Sequence, residues 1–252
     1  MAKKSHEIEH ALEVFVRGFC VGKSVTHPYE HVRIGKLWVM RDAPRKNPRN
    51  YRKEEWIAYG VQPAEVDRVA RQYTRGRFFV CAILGVDESD EPLRASYKQL
   101  GYRLLATEPL FVHRLAKIPR TVSPVTIEQV RTPEMAERFG KATRTRPIPA
   151  EQLTKDAPFR QYVALDDDKI VGWVRSVNAC DSTWCTHMQV LESHRRRGIG
   201  TALLAKMLRD DRRNGAKQSV LLSSHTGALI YPRVGYEQMG LLLIFAPKRA
   251  AG

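Results

Sequence analysis

The chain has 252 residues, and its 42 Lys and Arg against 27 Asp and Glu give a formal net charge of +15. Hydrophobic residues make up 43% and charged residues 27%, a globular composition that excludes a wholly disordered chain. No apolar run approaches the ~18 residues of a spanning helix and no apolar signal stretch opens the chain, so we expect a cytoplasmic protein that does not bind membranes.

The first 118 residues predict an amphipathic helix followed by alternating strands and helices. Apolar side chains from Ile8 to Phe19 recur at helical spacing, which predicts a helix from about Ser5 to Gly22. The loop Arg41–Lys53 follows a strand and carries six basic residues against one Asp. In chain order, strands are predicted over 32–40, 55–61, 78–84 and, as one or two strands, 102–115, with helices over 63–72 and 93–100.

Residues 119–124 form the predicted linker of the chain. They lie in a stretch with two prolines and few apolar side chains, which is typical of a domain boundary. After it, strands are predicted over 125–130, 159–164, 170–177, 183–190, 219–222 and 236–245, and helices over 133–142, 150–153, 198–213 and 228–234. An antiparallel hairpin followed by a βαβ unit indicates a mixed α+β sheet.

An internal repeat links the two halves. Residues 97–102 and 231–236 both read Tyr-x-x-(Leu/Val)-Gly-Tyr, at an offset of 134 that holds without a gap to Phe111 and Phe245. The same offset brings the helix at 63–72 close to the one that follows Gly200. We therefore predict two copies of one fold, over residues 1–118 and 125–252.

A basic glycine loop joins a predicted strand to a predicted helix at residues 195–201. Free backbone N–H groups and the positive end of the helix dipole make such a junction an anion site. Gly198 and Gly200 allow close approach of a phosphate, and the three arginines 195–197 add charge-assisted hydrogen bonds. The alternative is a tight strand–helix turn with solvated arginines, because the spacing matches neither a P-loop nor Gly-x-Gly-x-x-Gly.

Together these segments resemble the GCN5-related N-acetyltransferase (GNAT) superfamily. Its loop signature, Gln/Arg-x-x-Gly-x-Gly/Ala, is matched from Arg195 to Gly200, and its second motif is similar to Tyr231–Tyr236. The resemblance covers about residues 125–246. It implies an α+β fold of two tandem acyl-CoA N-acyltransferase-like domains, each a mixed, mostly antiparallel sheet flanked by helices. The copy over 1–118 has no glycine loop near 61–64 and is expected to be degenerate.

The resemblance implies acetyl-CoA as the donor and a small-molecule or peptide amine as the acceptor. The pyrophosphate would lie on backbone amides of residues 196–201, and Met188 and Val190 would pair with the pantetheine arm like an added strand. The implied cofactor-binding residues are Met188, Val190, Arg195, Arg196, Arg197, Gly198, Ile199, Gly200 and Thr201.

The same resemblance makes Tyr231 the general acid that protonates the departing thiolate, a transfer that the ordinary pKa values of a phenol, ~10, and a thiol, ~8.5, allow. A core tyrosine is the alternative, since Tyr97 persists without the loop. For the general base we name His187, with Glu192, His225 and water as alternatives. Ser224 stands where many relatives carry an Asn that contacts the cofactor.

Other interpretations stay open. A non-catalytic acyl-CoA-binding or sensor protein would keep the loop but not need Tyr231. A nucleic-acid-binding protein is not expected, because the charge is spread evenly: 22 basic and 14 acidic residues up to 120, and 20 and 13 beyond. Asp166–Asp168 fits a hairpin turn, Cys180 and Cys185 fit small buried side chains, and no metal site is expected since no Cys-x-x-Cys pair occurs. A homodimer stays open.

Overall fold

The computed structural model of the chain describes residues 2–248. Up to residue 113 its elements are α1 (Ala2–Lys23), β1 (Tyr29–Ile34), β2 (Leu37–Asp42), β3 (Glu54–Tyr59), α2 (Pro63–Tyr73), β4 (Phe78–Gly85), α3 (Glu91–Gln99) and β5 (Tyr102–His113). The remainder contains β6 (Thr126–Gln129), α4 (Pro133–Thr143), β7 (Phe159–Asp166), β8 (Lys169–Ala179), β9 (Ser182–Val190), α5 (Ile199–Arg213), β10 (Ser219–Leu222) and β11 (Glu237–Pro247). No helix within residues 2–248 is both long and apolar enough to cross a membrane.

The chain divides into two compact units that are interleaved along the sequence. The first unit contains the described residues up to 111, together with 222–226 and those from 238 onward. The second unit contains 112–221 and 227–237. The last strand, β11, therefore belongs almost entirely to the first unit, although the sequence division at 119–124 assigns it to the second repeat. That division stays a prediction about the repeats.

In the first unit, α2 connects two parallel strands. Strands β1, β2 and β3 are antiparallel neighbours, β3 runs parallel to β4 over six residue pairs, and β11 runs antiparallel to β4. The predicted apolar face of α1 is real: Ile8, Leu12 and Phe15 are all buried. Because the apolar faces of the helices and the sheet meet, this unit has its own core, which includes Trp56, Tyr97, Tyr102 and Phe245.

In the second unit, β6, β7, β8 and β9 form an antiparallel meander, and α5 connects β9 to the parallel strand β10. The apolar side chains of α5 are buried against this sheet, with Leu203, Leu204 and Leu208 fully enclosed. One carboxylate fixes the helix to three strands: Asp211 accepts hydrogen bonds from Arg160, Ser176 and Thr183 at 2.7–2.9 Å. The mixed sheet flanked by helices agrees with the expected fold class within this unit.

Local turns explain where the structure differs from the sequence prediction. The single strand expected over 32–40 is a hairpin, because Gly35 takes a positive φ of 58° and reverses the chain. The helix expected over 228–234 is two 3₁₀ turns, Gly227–Leu229 and Tyr231–Val234. Cys180, expected to be buried, is exposed in the tight β8–β9 turn, whereas Cys185 is buried as expected.

The basic loop Arg41–Lys53 is organised around one buried carboxylate. Asp42 accepts hydrogen bonds from Arg45 Nε and Arg52 Nε, each at 2.6 Å, and from the Arg52 amide at 2.9 Å. Burial by itself raises the pKa of Asp42, but these arginine hydrogen bonds outweigh it and lower the pKa to about 2. Two of the six cations are therefore held by Asp42, whose single negative charge offsets one of them, and this weakens the case for the loop as a nucleic-acid surface.

Candidate active site

A β-bulge interrupts β9 at His187. Thr186 pairs with Arg175 of β8, but the next pair joins Gln189 to Trp173, so β9 has one residue more than β8 over this stretch. His187 lies in the bulge and has a positive φ of 52°, a conformation that few non-glycine residues adopt. A bulge bends its strand and redirects backbone groups out of the ladder, and bulges are frequent next to active sites.

Strands β9 and β10 separate just before the bulge. Their parallel pairing joins Thr183 to Ser219 and Trp184 to Val220 and ends there, although β9 continues to Val190. An edge of β9 is therefore open over its second half. Open strand edges present N–H and C=O groups to which an extended ligand can add as a further strand.

The glycine loop places an uncapped helix start at the end of β9. Gly198 is the N-cap residue of α5, with φ +83°, and no side chain caps the helix there. The first amides of the helix therefore have no intrahelical acceptor, and the positive end of the dipole is directed at the same place. This combination suits a phosphate or another anion.

Gly200 is where the parts of the site converge. A Cβ atom on Gly200 would lie 2.7 Å from Ile230 Cδ1, 3.0 Å from Met188 Cε and 3.7 Å from Val190 Cγ2. The first turn of α5, the open half of β9 and the segment that precedes Tyr231 thus contact one another at this glycine. A larger residue would have to displace the ends of the Ile230 and Met188 side chains, since the two shorter distances are below van der Waals contact.

The three arginines of the loop have different surroundings. Arg195 Nε donates to the Val190 carbonyl at 3.1 Å, and Arg197 pairs with Asp166 at 3.1 Å. Asp166 closes the β7–β8 hairpin opposite Lys169, as the sequence predicted for this acidic turn. Arg196 takes a positive φ of 62° and is exposed. Only part of the arginine charge is thus free for a ligand.

Tyr231 is buried beside Tyr236. Its ring lies edge to face against the Tyr236 ring, with centroids 5.6 Å apart and planes at 75°. Gly235 allows this because it turns the chain with φ +98°, and the Tyr236 amide then donates to the Tyr231 carbonyl at 3.1 Å. The Tyr236 hydroxyl lies 2.8 Å from Ser219 Oγ of β10. The tyrosine motif is therefore tied to the strand that diverges from β9.

His187 keeps solvent access although neighbouring groups crowd it. Partial desolvation, and then the positive charge of Arg175, lower the pKa of His187. The imidazole is therefore neutral at physiological pH and able to accept a proton. Of the alternative bases, Glu192 is exposed in the turn after β9, and His225 belongs to the first unit, where Nε2 lies 2.6 Å from Thr107 Oγ1. Ser224 also belongs to the first unit.

Arg175 is a site residue that sequence reasoning missed. It lies directly opposite Thr186, next to the bulge, and is 9% exposed. The signal in the sequence was a charged residue inside the mostly apolar predicted strand 170–177. Between residues 2 and 248, no group of three or more His, Cys, Asp or Glu side chains is arranged to hold a metal ion.

A bulged strand that separates from its parallel neighbour, followed by an uncapped glycine at a helix start, defines a GNAT-like mixed α/β fold. Residues 158–238, which contain the bulge, the loop and Tyr231, match the family model described as the Acetyltransferase (GNAT) domain. Residues 158–238 are therefore similar to a GNAT acetyltransferase domain. None of the curated proteins matches the chain significantly.

Solved structures show the same fold at low sequence identity. The chain is similar to a GCN5-related N-acetyltransferase from Kribbella flavida, with a TM-score of 0.65 and 18% identity over 94% of this chain and 95% of that one. It is also similar to a functionally unknown conserved protein from Staphylococcus epidermidis, with a TM-score of 0.60 and 16% identity over 90% of this chain and 97% of that one. A GCN5-related N-acetyltransferase from Sphaerobacter thermophilus has a TM-score of 0.55 and 18% identity over 93% of this chain and 90% of that one.

Proposed function

We propose that this protein is an N-acetyltransferase that moves an acetyl group from acetyl-CoA to a primary amine by direct attack in a ternary complex. The observation that carries the proposal is the convergence at Gly200 of the open β9 edge, the start of α5 and the segment before Tyr231. The similarity of residues 158–238 to a GNAT acetyltransferase domain supports it, since GNAT enzymes take their acyl group from acyl-CoA.

The residues present suit the donor. The pyrophosphate would be held by the uncapped amides from Arg196 to Thr201, with Arg196 as the most available cation. The pantetheine arm would add to the open edge of β9 at Met188 and Val190. The Val190 carbonyl already accepts from Arg195, so Arg195 also orients this edge. A side chain at Gly198 would occupy the space that the phosphates need, and one at Gly200 would displace Ile230 and Met188.

The chemistry then requires three actions from the chain. Acetyl-CoA supplies the acetyl group as a thioester, whose C–S bond breaks as the amine nitrogen forms the new C–N bond. A backbone N–H freed by the bulge would hold the carbonyl oxygen. The Tyr231 hydroxyl would give its proton to the departing sulfur, and neutral His187, or water, would take the proton that the amine loses.

Calorimetry with CoA and a free-thiol assay with acetyl-CoA and a panel of primary amines test this function. We expect CoA binding that Gly200→Val abolishes, and thiol release that depends on an amine. The matched control is Gly215→Val, which also adds a side chain at a glycine near an end of α5 but far along the helix from the loop. Absence of both CoA binding and amine-dependent turnover would rule the proposal out.

We also infer that the first unit descends from a second copy of this fold that lost its cofactor site. Tyr97 and Tyr102 repeat the tyrosine pair, with centroids 5.5 Å apart and planes at 73°. In this unit the parallel strands β3 and β4 remain paired over six residues and do not separate. The N-cap residue of α2 is Gln62, which has an ordinary φ of −64°. These features support a copy without the strand separation and the glycine that a CoA ligand needs, so catalysis is assigned to residues 125–252.

One observation favours a second candidate, a non-catalytic acyl-CoA-binding protein. Tyr97 makes the same edge-to-face tyrosine contact as Tyr231 in a unit without the glycine loop, so a buried tyrosine at this position can be structural alone. Such a protein would bind CoA with no transfer to any amine. Substitution of Tyr231 by Phe would then leave its function unchanged.

A further inference from the structure

Arg175 is held in the interior of the second unit by neutral groups only. It is paired in register with Gln161 of β7 and Thr186 of β9. Its Nε donates to Gln161 Oε1 at 2.9 Å, and its guanidinium lies 4.2 Å from the centre of the Phe159 ring. One edge and one face of the guanidinium are therefore fixed, which gives the cation a single preferred direction.

No carboxylate of the described chain forms an ion pair with this cation. Burial lowers the pKa of Arg175 to about 10, with no acidic group acting in the other direction. Arg160, the residue beside Gln161 on β7, is the internal comparison. It is also enclosed but is paired with Asp211 at 2.8 Å, and this pairing raises its pKa despite burial. Arg160 therefore has a carboxylate partner for its charge, and Arg175 has none.

The unpaired cation lies next to the proposed reaction centre. Thr186, its partner on β9, directly precedes the bulge residue His187, and the charge of Arg175 acts on the His187 imidazole. Gln161 and Arg175 share a register position, so their side chains lie on one face of the sheet, whereas Arg160 and α5 lie on the other.

The two terminal nitrogens of Arg175 are the donors that remain. Neither forms a hydrogen bond with another described residue. Neither is among the fully buried polar atoms that lack a hydrogen bond, so both nitrogens are accessible to solvent. Two parallel N–H groups match the two oxygens of a carboxylate or two oxygens of a phosphate. A buried cation without a partner is costly, so an anion from outside the chain is the group that best fits this position.

We propose that Arg175 binds an oxyanion of the acceptor, so that the acceptor is a small molecule carrying an amine and a carboxylate, or an amine and a phosphate, only a few bonds apart. The separation is short because Thr186, the residue opposite Arg175, directly precedes the bulge. The inference rests on the proposed acetyl transfer at the bulge. It makes Arg175 a substrate-binding residue that selects amino acids or phosphoamines over plain amines.

Ligand-detected NMR on the full chain, with and without saturating CoA, tests the proposal independently of turnover. The probes are matched pairs: glycine with methylamine, phenylalanine with phenethylamine, lysine with cadaverine, and phosphoethanolamine with ethanolamine. We expect at least one oxyanion-bearing member to bind about tenfold or more tightly than its partner. The amino acids and phosphoethanolamine distinguish carboxylate from phosphate.

Two variants remove the selectivity in different ways. Arg175→Met keeps a long apolar side chain but removes the charge, and it should bring the affinity ratio of each pair close to one. Gln161→Glu supplies an internal carboxylate 2.9 Å from Arg175 Nε, so it should also remove the selectivity while the protein stays folded. This second variant separates loss of the anion site from loss of structure.

The outcomes are distinct from those of the proposed function. Selectivity that survives Arg175→Met, equal binding within every pair, or no binding of any probe overturns the anion site. Turnover with plain amines that is as fast as with amino acids, in a protein that binds CoA, overturns only the anion site. Failure of CoA binding overturns the acetyltransferase proposal instead, and the NMR arm without CoA still decides whether Arg175 selects oxyanions.

Discussion

Tyr231 and Tyr236 pack edge to face with ring centroids 5.6 Å apart, and the Tyr236 amide donates to the Tyr231 carbonyl. This contact joins the two aromatic rings, and a Phe at position 231 would also provide a ring for it. The ring and the hydroxyl can therefore be separated by a substitution that removes a single oxygen.

Tyr231→Phe should keep the fold and CoA affinity while kcat falls about 100-fold or more, the usual effect of losing a general acid. Tyr97→Phe is the matched control, because Tyr97 makes the same edge-to-face tyrosine contact in the first unit and its hydroxyl is buried without a hydrogen-bond partner in residues 2–248. This control should leave kcat unchanged and stability equal or slightly higher. Steady-state kinetics and thermal unfolding of both variants test whether Tyr231 is a general acid. Equal kcat in both variants would favour the non-catalytic candidate.

Gly198→Ala and Gly215→Ala form a second matched pair. The two glycines have φ of +83° and +84°, and a Cβ atom added at either would have no other atom within 4 Å. Each substitution should cost about 1 kcal/mol of unfolding free energy, because an L side chain is strained in this conformation. Only Gly198→Ala should also weaken CoA binding, since its methyl group would enter the anion site. Urea unfolding and calorimetry with CoA measure the two effects, and equal CoA affinity in both variants would contradict the placement of the phosphates.

The site was predictable where local pattern decides it. The periodicity of Ile199, Leu203 and Leu208 and the glycines at the start of the helix specify α5 and its loop without knowledge of the rest of the chain. The bulge at His187 was not predictable, because an extra residue shows only when β9 is laid against β8. Strand β11 joined the first unit through pairing with β4, about 160 residues earlier, for which no local signal exists.

The burial of polar residues was the other feature that the sequence pattern could not predict. Arg175 interrupts an apolar stretch and Asp211 lies within the charged run 209–213, so a periodicity argument treats each as an exposed position. Both are enclosed, Asp211 with three partners and Arg175 with one neutral partner. Whether such a group has a partner depends on side chains from other strands, so the sequence pattern could not distinguish a structural ion from an open binding group.

His113 should make stability fall below about pH 6.5. Its Nδ1 accepts from the Leu115 amide at 2.8 Å and its Nε2 donates to the Val234 carbonyl at 2.9 Å, which fixes the neutral ring. Burial lowers the pKa of His113, so the unfolded chain takes up the proton first. The contribution is present above the unfolded pKa and is lost as pH falls through it.

Urea midpoints at pH 7.5 and 5.5 check this dependence. His113→Gln should reduce the difference between the two midpoints, whereas His6→Gln, in α1, should leave it unchanged. A further readout is the nitrogen shift of the His113 ring, which should report the neutral Nε2–H form at pH 7.5 and a titration midpoint below the ordinary pKa of about 6.5. A ring that titrates near pH 6.5 in the folded protein would contradict the burial argument.

Asp42→Asn should loosen the basic loop Arg41–Lys53 and lower stability by about 2 kcal/mol at pH 7, from the difference between the ordinary pKa and the folded value of about 2. The contribution is present above the unfolded pKa of the carboxyl and is lost as pH falls toward 2, because the protonated form cannot hold both Arg45 and Arg52. Limited trypsin digestion should then cut the variant faster within the loop. Asp168→Asn, at a fully exposed turn, is the control and should change neither stability nor cleavage. Unchanged cleavage in Asp42→Asn would mean that Asp42 does not organise the loop, and its six cations would again be available to an anionic partner.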